Sequence, residues 1–189
     1  MNFIEKKTFE KTNFAEQPFD RAEYDNCIFD SCDFTGSDAS GAIFTRCTFR
    51  SCNLSMVNLA GTSFQNAVFK DCKLTGTDFE PCSRFGLSMS FEGCVLGYAS
   101  FYRLRLPKTV FRSCNLADVN FAECDLSQAV FDRSDLSRTV FSKTKLEKAD
   151  LRTAYNFSID PSANMVRKAR FSASGIAGLL DSFGISIED

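Results

Sequence analysis

Residues 109 to 153 read TVFRS, CNLAD, VNFAE, CDLSQ, AVFDR, SDLSR, TVFSK, TKLEK and ADLRT. Each unit of five opens on a small residue, often places a polar residue second, and holds Phe or Leu third. These third positions are the centres of the repeat: Phe111, Leu116, Phe121, Leu126, Phe131, Leu136, Phe141, Leu146 and Leu151. A helical stripe would recur at three and four residues, and a half-buried strand at two, so neither explains a period of five. A solenoid does, with each unit forming one short side of a coil and its centre pointing to the axis.

The same phase begins near the N-terminus. Sixteen centres from Ile4 to Phe79 keep it without interruption, and thirteen more run from Phe91 to Leu151 in a phase shifted by two. Between them EPCSRFGLSMS, residues 80 to 90, breaks the pattern. Continuing the first phase would put Arg84 at a centre, so a two-residue insertion is expected to form a bulge or small loop around Arg84–Ser88, with Gly86 suited to the irregularity. Longer periods indicate stacking. Phe9, Phe29, Phe49 and Phe69 are twenty apart, as are Cys32, Cys52 and Cys72, and Cys94 and Cys114. A twenty-residue coil of four sides stacks each series into a ladder at about 4.8 Å, close enough for rings to meet. Leu104 and Met89 stand where small residues are the rule, which marks residues 89 to 106 as irregular.

Composition narrows the function classes. The 189 residues include 21 Phe, four Tyr and no Trp, and the net charge is −2. That charge is too small to draw a nucleic acid or a membrane by attraction alone. No apolar run is long enough to span a bilayer, and MNFIEKKTFEK lacks the apolar core of a secretion signal, so a cytoplasmic protein is expected. The nine cysteines all fall two residues before a repeat position, a slot otherwise filled mainly by Ala, Ser, Thr and Val. They are expected to be small buried residues with free thiols. With no His, no CxxC pair and no Gly-rich phosphate loop, neither an enzyme, a metal centre nor a cofactor site is expected. Outward Asp and Asn residues before the centres, such as Asp33, Asp38, Asn53 and Asp135, suit side-chain bonds to nearby turn backbone.

The units SCNLS, ECDLS, RSDLS and KADLR resemble the pentapeptide repeat, whose pattern is A-(D/N)-L-x-x. The resemblance covers roughly residues 2 to 153 and implies an all-β fold, a right-handed quadrilateral parallel β-helix. Twenty-nine centres make about seven coils, about 34 Å tall at the strand spacing. It also implies a non-enzymatic binding protein. Some family members of similar length, the quinolone-resistance type, are homodimers that bind DNA gyrase or topoisomerase IV by imitating duplex DNA in size and charge. This chain is similar in its Phe-rich core, length and C-terminal helix. It departs in being only mildly acidic and in having only the short break at 80–90. A structural scaffold with an unrelated protein partner is the alternative.

Three regions are candidate contact surfaces. Tyr98, Tyr102, Arg103 and Arg105 fall at outward phases in YASFYRLRLPK, and exposed Tyr and Arg are common interface anchors. Residues 1 to 45 carry nine acids against four bases, whereas residues 98 to 112 carry Arg103, Arg105, Lys108 and Arg112 and no acid. The rod is therefore dipolar, and Asp33, Asp38, Asp118 and Asp135 are candidates for a DNA-like acidic surface. After Leu151 the pattern decays, although Ala169 and Phe171 return to phase, as a closing degenerate coil would. Residues 154 to 189 are expected to supply that coil, a short capping helix and a dimerisation tail. The helix is expected over SASGIAGLLDSFG, with Ser172 or Ser174 as its cap and Gly184 as its stop. Ile176, Leu179, Leu180 and Phe183 would share its apolar face. Residues 185 to 188 alternate as a strand. Ile185 and Ile187 would then join the helix face in an end-to-end homodimer that hides both face and edge.

Overall fold

A twenty-residue register runs through the computed structural model, which describes residues 1–185. Four five-residue sides make each coil. On the second side the strands Thr8–Glu10, Ile28–Asp30, Thr48–Arg50, Ala67–Lys70, Met89–Glu92, Val110–Arg112, Val130–Asp132, Asp150–Leu151 and Arg170–Phe171 form one nine-stranded parallel sheet. Eight turns of solenoid separate nine stacked strands, so the stretch after Leu151 does complete a coil. The first side starts as a four-stranded sheet, Asn2–Glu5 to Ser63–Gln65. The third and fourth sides are joined by single parallel bridges such as Asp33↔Asn53 and Asn120↔Val140.

The corners fix this shape. Two residues after most centres the backbone turns left-handed, at Gly36, Gly41, Gly61 and Gly76 but also at residues with side chains such as Asn26, Ser51, Tyr98, Asp118 and Lys148. At the corners with side chains φ lies between +48° and +63°, a conformation that costs an L-residue roughly 1–2 kcal/mol. Two bonds offset it. The corner N–H reaches the next coil, as from Asp118 to the Ser137 carbonyl at 2.9 Å. On the third and fourth sides the centre carbonyl accepts from the N–H three residues on, as Phe101 does from Leu104 at 3.1 Å. Positive φ at the third residue suits this type II geometry. The outward Asp and Asn residues complete the turns. Asp33, Asp38, Asn53, Asn58, Asp78, Asn115, Asn120, Asp125, Asp135 and Asp150 each accept the N–H of the residue two positions on.

Inside, the centres form ladders. Phe9, Phe29, Phe49, Phe69, Phe91, Phe111 and Phe131 stack with centroids 4.8–5.2 Å apart and planes within 11° of parallel. A second ladder changes sides at the break. It runs through Tyr24, Phe44 and Phe64 on the first side, then through Phe79, Phe101, Phe121 and Phe141 on the fourth. The slot two residues before the centre does more than stay small. Its thiol or hydroxyl donates to the centre carbonyl of the preceding coil, as from Cys47 to Tyr24, Cys72 to Phe49, Thr77 to Leu54 and Ser134 to Phe111. This explains why Cys, Thr and Ser share that slot with Ala and Val.

The break is a local excursion. Ser83 N–H still bonds to the Thr62 carbonyl at 2.8 Å and Ser88 N–H to the Phe64 carbonyl at 2.9 Å. Between these anchors Arg84 is exposed, Phe85 is 81% exposed and Gly86 is left-handed at φ +65°. Across it the register is twenty-two, Val68 pairing with Ser90 and Phe69 with Phe91, and beyond it the register is twenty again, Phe91 pairing with Phe111. The irregularity expected over residues 89 to 106 is absent. Met89 lies in a full strand and Leu104 is completely buried in a regular coil. Room for both exists because the looped-out coil sets no ring at the first-side centre, where Leu87 is only partly buried, and because that side continues with Leu106 and Leu126 rather than Phe.

The C-terminus caps the stack differently from a regular amphipathic helix. Ala173–Leu179 and Asp181–Phe183 are two short 3-10 segments. Ser172 caps the first through the Gly175 N–H, and left-handed Gly184 ends the second. Gly178 is required by close approach, since a Cβ there would stand 2.1 Å from the Phe157 carbonyl oxygen. The Gly178 carbonyl in turn accepts the Ile159 N–H at 2.8 Å. Tight winding separates the four apolar residues expected on one face. Leu179 packs on the core and Leu180 is half-buried, while Ile176 and Phe183 are exposed.

Two outcomes follow from this core. Phe121 is fully buried between Phe101 and Phe141, so Phe121→Ala is expected to cost about 3–5 kcal/mol, read as a lower denaturant midpoint. The nine thiols are free and buried. Burial pushes Cys47, Cys82 and Cys124 up to about 12, which keeps them protonated and unreactive at neutral pH. Alkylation is expected to be slow in the native protein and complete at all nine positions after denaturation without reductant; a mass shift short of nine would reveal a bridge.

Candidate interaction surfaces

The solenoid register sorts outward side chains into columns that repeat every coil. Tyr98 belongs to the corner between third and fourth sides, one coil from Asp118 and two from Arg138. Tyr102, Arg103 and Arg105 gather instead around the next corner. The four residues expected to form one patch therefore divide between two corners on either edge of the fourth side.

At the first corner Tyr98 is 69% exposed. Asp118 accepts two hydrogen bonds from the Arg138 guanidinium, at 2.7 and 2.6 Å. That pairing holds the Asp118 carboxyl below its ordinary range. At the second corner the Arg103 guanidinium lies over the Tyr102 ring, 4.7 Å from its centroid, and donates to Glu123 at 2.8 Å. The Tyr102 hydroxyl donates to the other oxygen of Glu123 at 3.2 Å. Arg103 is the main cause of the lowered Glu123 carboxyl. Arg105 reaches Asp125 at 3.8 Å while remaining 84% exposed along its side chain.

Cross-coil pairing of this kind extends along the rod. Arg46 meets Asp25, Lys70 meets Glu92, Arg112 meets Asp132 and Arg170 meets Asp150. Glu123 and Arg138 were not singled out in the sequence, although an opposite charge twenty positions away was the signal that could have found them. These exposed pairs are worth little in stability individually. Their main effect is to neutralise the surface locally, so Asp118 contributes little net negative field.

Asp33 and Asp38 differ. The Thr35 hydroxyl donates to Asp33 at 2.5 Å and holds that carboxyl low without a cation, whereas Asp38 is held low first by Ser40 and also by Asn58 and the charge of Arg21. Among the described residues neither forms an ion pair within 4.0 Å. Burial works against ionisation at Asp135, but bonds from Ser137 and Asn156 outweigh it and lower the carboxyl. At the C-terminal end Ile176, Phe183 and Ile185 are 48%, 62% and 55% exposed. Ile187, and the strand expected over residues 185 to 188 beyond Ile185, fall outside the described residues. Among the described residues no group of three or more His, Cys, Asp or Glu is arranged to hold a metal ion, and no helix is long and apolar enough to cross a membrane.

Comparison with known proteins agrees with this geometry. The pentapeptide repeat region pattern matches residues 42–106 and 87–155, and the pattern of pentapeptide repeats in eight copies matches residues 9–46. A search of curated protein sequences finds no match. Among solved structures the chain is similar to a trypsin-treated form of QnrB1, a plasmid-mediated fluoroquinolone resistance protein, at 20% identity and a TM-score of 0.73, covering 100% of this chain and 92% of that one. Full-length QnrB1 is similar at 18% identity and a TM-score of 0.65, covering 97% of this chain and 100% of that one. With the five-residue phase, the four-sided register and the matched repeats together, the chain belongs to the pentapeptide repeat family.

Proposed function

We propose that this chain is a non-enzymatic, protein-binding rod that docks on a type II topoisomerase, DNA gyrase or topoisomerase IV, in place of duplex DNA. The observation that carries the reading is the full-length similarity to the QnrB1 fold, since that protein is described as a fluoroquinolone resistance protein. Shape and charge support it. Nine strands stack to about 38 Å. Two such rods end to end reach about 75 Å, the length of roughly 22 base pairs. Among the described residues, the N-terminal coils carry acids that form no ion pair, Asp33 and Asp38 included, and these would face the basic groove that receives DNA. The homodimer is formed through the C-terminal end, with Ile176, Phe183 and Ile185 as its apolar contacts. Leu179 serves the chain's own core instead.

The cross-coil ion pairs favour a second reading, a scaffold solenoid with an unrelated protein partner, because they cancel much of the charge that mimicry needs. Gyrase supercoiling assays separate the two. On the first reading purified protein alters supercoiling, and the effect weakens as salt screens it. Asp33→Lys with Asp38→Lys weakens it several-fold, whereas Asp118→Lys has less effect because Arg138 already engages that carboxylate. Tyr102→Ala and Arg103→Ala test the second corner for a specific contact. Absence of any effect or binding at low salt leaves the scaffold reading. For the dimer, sedimentation at micromolar concentration is expected to give twice the chain mass, and deletion of residues 174 to 189 a monomer or aggregate. A monomeric full-length chain would contradict the end-to-end contact.

A further inference from the structure

The net charge of −2 conceals a separation of charge that the coils make specific. Along the first side, from Leu106 onward, cations outnumber acids. Lys108, Lys148 and Lys168 occupy the corner between first and second sides, each with left-handed backbone that turns its side chain outward. Lys143 occupies the opposite corner, and Lys145 and Arg167 lie between the two edges. All six are exposed. The coils are in register here: Lys145 bridges Asp125 and Met165, Lys143 N–H bonds to the Ala163 carbonyl, and Lys148 N–H bonds to the Arg167 carbonyl.

What distinguishes these six is the absence of the pairing seen elsewhere. Arg103, Arg105, Arg112, Arg138 and Arg170 each meet a carboxylate one coil away. Among the described residues none of the six has a carboxylate within 4.0 Å. The acids of the same side are few. Glu123 is held by Arg103 with Lys143 nearby, and Asp125 stands between Arg105 and Lys145, which leaves Glu147. A shallow groove runs along the Lys148–Lys168 corner, lined also by Ser127, Gln128, Glu147 and Arg167.

We propose that this basic first side of the C-terminal coils binds the phosphate backbone of a nucleic acid. Charge spacing favours that polyanion. Lys148 and Lys168 are one coil apart, about 4.8 Å, and Lys108 lies about 10 Å further along the same edge. Cations in a straight row meet successive charges of a polyanion and release its counterions. An anionic bilayer is the weaker fit because the side has little apolar surface to insert, Met165 being its one exposed large apolar residue in these coils among the described residues. Backbone contact alone gives affinity without sequence preference.

The test needs only the purified full-length chain and a fluorescently labelled duplex of about 20 base pairs, so it is independent of any topoisomerase. Anisotropy at low salt is expected to show binding in the micromolar range, with log K falling against log salt at a slope of about −4 to −5 if five cations meet phosphates. The triple variant Lys145→Glu, Lys148→Glu, Lys168→Glu is expected to weaken binding at least tenfold and flatten the slope, with unchanged thermal unfolding. If that variant unfolds, the same three positions as Gln are expected to give a smaller loss in the same direction. No binding at low salt, or binding unaffected by either variant, overturns the proposal. Binding to phosphatidylserine vesicles or to polyglutamate without binding to duplex also overturns it, and assigns the side to a lipid surface or an acidic protein.

Discussion

A chain that turns every five residues must spend a left-handed residue at nearly every corner, and the rest of the molecule depends on meeting that constraint. Glycine would make the corners easy, but most of them carry side chains, from Lys6 and Asn26 to Lys148 and Lys168. A lone corner of this kind is unfavourable. Stacked corners are not, because most corner N–H groups find a carbonyl of the next coil and, along the aromatic ladders, the core ring beside them finds a parallel ring at the strand spacing. The stability of a coil is thus shared with its neighbours, as in other repeat proteins. The Phe9-to-Phe131 ladder is where the two requirements coincide: rings 4.8–5.2 Å apart match the separation that parallel strands already impose.

The five-residue phase made the centres, the inward cysteines and the position of the break legible in advance. The turn-stabilising Asp and Asn residues were legible too, because the bond they make is local. What depended on the neighbouring coil was harder to see. The thiol and hydroxyl bonds to carbonyls twenty-three residues back, as from Thr139 to Leu116, do not follow from side-chain size. The aromatic ladder changes sides at the break because the looped-out coil omits a first-side ring, a consequence of where the insertion goes rather than how long it is. Leu104 looked too large for its slot until that missing ring supplied the space. The C-terminal segment carried a helical apolar pattern, but Gly175 and Gly178 lie so close to Phe157 that the chain winds as 3-10 turns and divides the pattern.

Surface chemistry shows the same contrast. Outward phases located Tyr98, Tyr102, Arg103 and Arg105 on the surface but not on the same corner, since two residues four apart on a five-residue side can stand at opposite edges. Charge totals suggested a dipolar rod. Coil-to-coil pairing determines where that charge is available: Asp118 is engaged by Arg138, whereas among the described residues Asp33, Asp38 and the corner lysines Lys108, Lys148 and Lys168 form no ion pair within 4.0 Å. A solenoid can therefore present differently charged surfaces on different sides of one rod while its net charge stays near zero.

One continuous solenoid passes through the break: the register lengthens to twenty-two across that single coil and returns to twenty beyond it, while the hydrogen-bond ladder stays intact. Residue-resolved amide hydrogen exchange tests this most directly. With an intact ladder, Asp71, Leu74 and Phe79, whose N–H groups bond to Glu92, Val95 and Ser100 across the break, are expected to exchange as slowly as Leu116, Phe121 and Leu126 in the uninterrupted coils. Rapid exchange at Asp71, Leu74 and Phe79 alongside strong protection at Leu116, Phe121 and Leu126 would contradict it, and would divide the rod into two independently stacked blocks.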